Sequence, residues 1–168
     1  MNNLKKLILI STKNKEILLS GTTSMLSLGA LSSIHQNVNI LSDYTLLLGS
    51  FGATSVLVFG FPKAPFSQPK NVMGGNLISS VIGVTSFKMA QLGLYDLHYA
   101  IPISVSLATM AMLKTDTVHP PAGGTAMIAA LGAEPVASLG YQLIIPTIFG
   151  SSFLMSSSLI FNKILKKI

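Results

Sequence analysis

Six apolar stretches separated by short polar loops dominate this sequence, at residues 17–34, 44–61, 72–94, 99–113, 120–133 and 142–161. A helix needs about 20 mostly apolar residues to cross a hydrocarbon core of ~30 Å. The first, second, third and sixth stretches meet or approach that length, the fourth is marginal and the fifth is short. A soluble fold would have to bury nearly all of this apolar surface, yet a domain of 168 residues keeps much of its surface in contact with solvent. Only 10% of the residues are charged, against roughly 25% in an ordinary soluble domain, and the mean hydropathy is +0.63. The expectation is an all-α fold, a polytopic transmembrane helix bundle of about six membrane segments, with the fifth short or re-entrant. If the fifth is re-entrant or fused with a neighbour, four crossings remain an alternative.

The charges test this count. All 11 basic residues are lysines and the net charge is +6. Lys5, Lys6, Lys13, Lys15, Lys163, Lys166 and Lys167 lie near the two ends of the chain, beside apolar runs, where lysines set topology and meet anionic headgroups. The loops after the first, third and fifth stretches carry no lysine, whereas those after the second and fourth carry Lys63, Lys70 and Lys114. Six crossings with both termini cytoplasmic satisfy every loop under the positive-inside rule. The expected organisation is a basic cytoplasmic tail at 1–16 lying partly on the membrane surface, one transmembrane domain at 17–161 and a basic tail at 162–168. The expected location is a bacterial cytoplasmic (inner) membrane. The partners expected are the lipid bilayer and further copies of the chain, because six short helices make a thin bundle. Nucleic acid is not among them, since no aromatic-basic interleaving accompanies the lysines.

The chain has no cysteine, which removes thiolate metal sites, disulfides and thiol catalysis. It contains no G-x-S-x-G, H-E-x-x-H or P-loop and no carboxylate pair at helical spacing, so no enzyme, cofactor or metal is expected. The apolar stretches are rich in small and hydroxyl residues, as in "GSSFLMSSS" at 150–158. That composition suits close helix packing or a hydroxyl-lined path.

An internal repeat is legible. "GGNLISSVIG" at 74–83 matches "GGTAMIAALG" at 123–132, and "ATSVLV" at 53–58 resembles "ATMAML" at 108–113. Each unit reads helix, proline loop, Gly-Gly helix, and on six crossings the two are parallel, an arrangement some transporters use. In "TDTVHPPAGGT" the paired prolines, lacking amide donors, fit the first turn of a helix. Glycine weakens a helix by about 1 kcal/mol relative to alanine, so Gly123 and Gly124 at a helix start need a reason. Either they let another helix cross closely, or they bare backbone amides to an anion at the positive end of the helix dipole. The other loop has the same form, with Asn71 as an N-cap, then Gly74 and Gly75, and Lys70 adding charge.

His119 reads either as a hydrogen-bonded loop residue or as a donor or proton-coupling group with an ordinary pKa of ~6.5. Asp116 is placed to hold its ring or to cap the helix. His35 and His98 fall in the outer loops. Lys88, inside the third stretch, either snorkels outward or pairs with Glu134 or Asp96 in an outer gate.

"VHPPAGGTAMIAALG" resembles the signature of the HPP family of integral membrane proteins, with His119, Pro120 and Pro121 as the naming triplet. "FGATSVLVFGFPKAPFSQPKNVMGGNLISSVIGV" is similar to that family's second marked segment, so the likeness runs from about residue 46 to 133. Lys70 stands where arginine is common and Asn76 where histidine is common. The resemblance implies a multi-helix membrane fold, usually described with four spanning helices, and in plant plastid and cyanobacterial members nitrite transport. The expected function is therefore a transporter or channel for a small inorganic anion, nitrite favoured. Its binding residues would be His119, Pro120, Pro121, Gly123, Gly124, Thr125, Lys70, Asn71, Gly74, Gly75 and Asn76, with Lys88, Asp116 and Glu134 gating or coupling. The alternative is a non-transporting sensor or scaffold that takes a cytoplasmic partner on its proline loops.

Overall fold

The computed structural model describes residues 3–37 and 49–165, with side chains described for 13–34 and 49–164. Residues 44–48 of the second apolar stretch, and the side chains of Lys5, Lys6, His35, Lys166 and Lys167, lie outside that description. Among the described residues the secondary structure is entirely helical. The elements are α1 (Asn3–Asn37), α2 (Gly49–Ser55) running into a π-turn (Val56–Gly60), a 3-10 turn (Pro65–Ser67), α3 (Pro69–Gln91), α4 (Leu97–Thr115), α5 (Pro120–Leu131), the short α6 (Val136–Leu139), a second 3-10 turn (Gly140–Leu143), and α7 (Ile144–Leu165). α1 runs unbroken across the expected tail boundary at 16/17, and α7 across that at 161/162.

By length and hydropathy, two segments qualify as membrane crossings, Lys13–Ile34 and Val136–Ile164. At 1.5 Å per residue α3 and α4 are about 34 and 28 Å long, long enough to cross but more polar. α3 buries Asn76, Ser79, Ser80 and Ser86 inside the bundle, so its composition answers to helix neighbours instead of lipid. α5 has 12 residues and reaches only about 18 Å, which bears out its reading as a short element.

α3 is the centre of the bundle and packs most extensively on α5 and α4, then on α7. α2 lies against α5 and α7, and α1 is outermost, against the π-turn and α7. The α3–α5 crossing depends on Gly83, because a Cβ there would stand 2.6 Å from both the Ala126 carbonyl oxygen and Ala129 Cβ. Small residues thus bring these two backbones together by van der Waals contact, the usual means of helix association where water exclusion gives no drive.

The π-turn comes where α2 runs toward Phe61–Pro62. The residue before a proline is steered away from helical dihedrals, and Phe61 leaves the helix at φ −131°. The carbonyls of this turn find partners on three other segments. Leu57 O accepts from Ser67 Oγ at 3.1 Å and Phe59 O from Ser20 Oγ at 3.0 Å, while Ser158 Oγ donates to Val58 O. Leu57 O also accepts from Phe61 N at 2.8 Å, so the serines of α1 and α7 supply donors to the next two carbonyls of the turn and Ser67 adds a second bond to the first.

Candidate functional site

The two proline loops lie together at one end of the bundle, and α3 and α5 start there side by side. His119 explains much of this. It precedes Pro120, which confines it to extended dihedrals, and it has φ −134° and ψ 100° as the N-cap position of α5. The extended backbone places the imidazole inside, with no solvent exposure. Nδ1 lies 2.8 Å from the Phe66 carbonyl oxygen, and Nε2 2.9 Å from Thr54 Oγ1. A carbonyl only accepts, so Nδ1 carries the proton and, in the neutral ring, Nε2 accepts from the Thr54 hydroxyl. One side chain thus ties the second proline loop to the first and to α2. Burial lowers its pKa from the ordinary 6.5, and the Phe66 hydrogen bond opposes that shift. The geometry fits a neutral loop histidine whose two nitrogens are both engaged.

Asn71 and Lys70 make further ties. α3 starts at Pro69 with Gln68 in the N-cap position, so Asn71 sits in the first turn and does not cap it. Its Nδ2 instead donates to the Val118 carbonyl at 2.9 Å. Lys70 Nζ meets Asp116 Oδ2 at 3.0 Å, in the one ion pair found among the described residues, with side chains 59% and 94% exposed. An exposed pair of this kind adds little stability. Asp116 ends α4 in the left-handed region at φ 56°, so it neither holds the His119 ring nor caps α5.

Gly74 and Gly75 lie in the second turn of α3, beyond the four positions whose amides lack intrahelical acceptors. What they provide is room. A Cβ on Gly75 would stand 2.8 Å from His119 Cβ and 3.0 Å from the Thr117 carbonyl oxygen, and one on Gly74 2.7 Å from Thr117 Cγ2. In α5, Pro120 and Pro121 have no amide protons to offer, and Ala122 N donates to His119 O at 2.9 Å. A Cβ on Gly123 would have nothing within 4 Å, and one on Gly124 only Ser50, at 3.6 Å. Of the two readings of the glycine pairs, the packing one describes Gly74 and Gly75. The amide-baring one finds few donors at the α5 start, because its prolines delete two and His119 O takes the Ala122 N–H.

Deeper in the bundle the polar side chains converge. Asn76 and Thr125, matching positions in the GGN and GGT of the two units, meet with Thr125 Oγ1 2.8 Å from Asn76 Oδ1. Thr125 Oγ1 is also 2.8 Å from Ser50 Oγ. Having a single proton, it donates to the amide oxygen and accepts from Ser50. Asn76 Nδ2 donates to Val72 O at 2.9 Å, and Ser80 Oγ to Asn76 O at 2.8 Å. Ser50 and Thr54 sit one turn apart on α2, so α2 presents one hydroxyl to Thr125 and the next to His119. All of these side chains are buried. Ser79, one turn along α3 from Asn76, and Ser151 on α7 have buried hydroxyls with no hydrogen-bond partner among the described residues. The sequence reading did not single out Ser50, Thr54 and Ser79. The four-residue spacing of Ser50 and Thr54 in an otherwise apolar run was the available signal.

The outer residues do not join this seam. Lys88 Nζ lies 5.5 Å from the Tyr141 ring centroid, a cation–π contact, and of its two readings the pairing with Glu134 or Asp96 is not made among the described residues. Glu134 Oε2 accepts from Ser138 N at 3.3 Å at the start of α6. Each described acidic residue, Glu16, Asp96, Asp116 and Glu134, is exposed, and no group of acids and histidines among the described residues is fit to hold a metal ion.

The family model for the HPP transmembrane region matches residues 10–168. This chain belongs to the HPP family. Two transmembrane proteins of Dictyostelium discoideum are similar to it, one 33% identical over 91% of this chain and the other 31% identical over 82%. The match takes in 49% and 48% of those proteins, so the chain spans about half the length of the curated relatives it matches. No solved structure matches the chain. Membership makes it an integral membrane protein, in keeping with its all-helical fold and its two apolar segments of spanning length.

Proposed function

We propose that this HPP-family chain is a transporter or channel for a small inorganic anion, nitrite favoured, and that the solute moves along the buried seam between α2, α3, α5 and α7. The observation that carries the reading is the pair of unpartnered buried hydroxyls, Ser79 and Ser151, in a bundle that also buries the Ser50–Thr125–Asn76 set and the Thr54–His119 pair. A buried donor without an acceptor is costly, and a passing anion would satisfy it. The absence of a buried carboxylate among the described residues favours an anion over a cation, which would need compensating negative charge. The nitrite assignment rests on the family resemblance. Gly74 and Gly75 serve packing in this reading, and the permeant meets side-chain hydroxyls in place of helix-terminal amides.

Topology belongs to the same proposal. Lys63, Lys70 and Lys114 sit in or beside the proline loops, and Lys13, Lys15 and Lys163 extend from that end on α1 and α7. The opposite end carries Lys88, Asp96 and Glu134. The positive-inside rule then makes the loop end cytoplasmic, with six membrane segments of which α5 is a short one held inside the bundle. In this reading the chain carries out no chemical reaction. A second reading, a sensor or scaffold, is favoured by the exposure of Lys63, Lys70 and Lys114; alanine at all three would then disrupt a complex and leave flux untouched. The test is nitrite uptake into proteoliposomes holding the purified chain. Saturable uptake above protein-free vesicles is expected, and uptake equal to theirs under every gradient would overturn the proposal.

A further inference from the structure

An open cleft of about 500 Å³ lies at the loop end, where Met155, Ser158, Leu159 and Asn162 of α7 face Pro62, Lys63 and Gln68. Its polar groups are not equally free. Gln68 Nε2 is engaged with Pro62 O at 3.2 Å and Ala64 O at 2.9 Å, which leaves its Oε1 as an acceptor. Asn162 Nδ2 is engaged with Ser158 O at 2.8 Å and Ser158 Oγ at 3.0 Å, which leaves its Oδ1. Lys63 is exposed and has no carboxylate partner among the described residues. The cleft therefore offers one ammonium and two amide acceptors, a set that suits an anion carrying hydrogen-bond donors of its own. Met155 and Leu159 form its apolar wall, and Phe61 and Ile160, next in sequence to Pro62 and Leu159, are exposed.

We propose that this cleft binds the headgroup of an anionic glycerophospholipid bearing hydroxyl donors, of the phosphatidylglycerol kind. Its phosphate lies on Lys63, its hydroxyls reach Gln68 and Asn162, and an acyl chain runs along Leu159 and Ile160. A small soluble anion would use the ammonium but has no need of the apolar wall. The lysines gathered at this end of the bundle raise the local concentration of anionic lipid, and the free amide oxygens select among such lipids.

Native mass spectrometry of the detergent-purified, delipidated chain titrated with dioleoyl-phosphatidylglycerol tests the assignment. One saturable site is expected, with weaker binding of dioleoyl-phosphatidylcholine. Lys63→Ala should weaken phosphatidylglycerol binding about fivefold, the scale of one lysine at a membrane surface. Lys114→Ala, at the same end but outside the cleft, should leave it unchanged. Asn162→Ala should weaken phosphatidylglycerol while sparing phosphatidic acid, whose head lacks glycerol hydroxyls. Equal weakening by Lys63→Ala and Lys114→Ala would show diffuse attraction and overturn the site. Displacement of the lipid by millimolar glycerol phosphate would overturn the lipid in favour of a soluble anion.

Discussion

The contrast between the two glycine pairs lends itself to a direct test, Gly75→Ala set against Gly123→Ala. At Gly75 the new Cβ would meet His119 Cβ at 2.8 Å, the Thr117 carbonyl oxygen at 3.0 Å and Met112 Sδ at 3.2 Å. The methionine can swing aside. The carbonyl is backbone and the imidazole is held at both nitrogens, so relief requires the second proline loop to lift from α3. Overpacking of this kind costs about 1–3 kcal/mol, and alanine returns at most about 1 kcal/mol of helix propensity. A net loss of about 1 kcal/mol corresponds to a fall in Tm of about 2–4 °C for a chain of this size. At Gly123 a Cβ meets nothing within 4 Å, so only the propensity gain of about 1 kcal/mol remains, a rise of about 2–4 °C. Recovery of monodisperse protein after graded heating in detergent measures both. Shifts of the same sign and size would refute the assignment of Gly75 to loop packing.

Three further outcomes follow from the same contacts. His119→Ala strips the partners of Phe66 O and Thr54 and should cost about 2–4 kcal/mol, a larger Tm fall than any loop lysine variant produces. Burial holds the His119 pKa below 6.5, so the unfolded chain takes up this proton more readily than the folded one. Folded stability should therefore decline as pH drops below about 6.5, and His119→Gln should lack that component of the pH profile. At Asp116, Asp116→Asn breaks the Lys70 pair but tolerates positive φ and should leave Tm nearly unchanged. Asp116→Val, β-branched at φ 56°, should lower it; equal behaviour of the two would place the role of Asp116 in its charge.

Much of the helical plan was legible because its signals are local. The proline pair at 120–121 marks the α5 start, and the short run to 131 marks its length. The resemblance carried by "VHPPAGGTAMIAALG" agrees with the family match over 10–168. What the sequence did not disclose depends on partners far along the chain. Whether a glycine bares an amide or admits a neighbour depends on what lies above it, and Thr117 and His119 are more than 40 positions from Gly74 and Gly75. Asn71 has the chemistry of a cap but lies two residues inside a helix that starts at Pro69, and its acceptor is Val118. Lys88 has acids in neighbouring loops, yet Tyr141 is the group within reach. The π-turn at Val56–Gly60 is sustained by Ser20, Ser67 and Ser158, three serines that no local pattern connects.

The central claim is that the buried polar seam is the path of the solute, and Ser79 isolates it. Its hydroxyl has no partner among the described residues, so Ser79→Ala removes no hydrogen bond and should hold or slightly raise thermal stability. The direct measurement is nitrite flux into proteoliposomes at matched protein content for the unaltered chain and Ser79→Ala. Flux well below that of the unaltered chain, with Tm preserved, is the predicted result; undiminished flux would contradict the path.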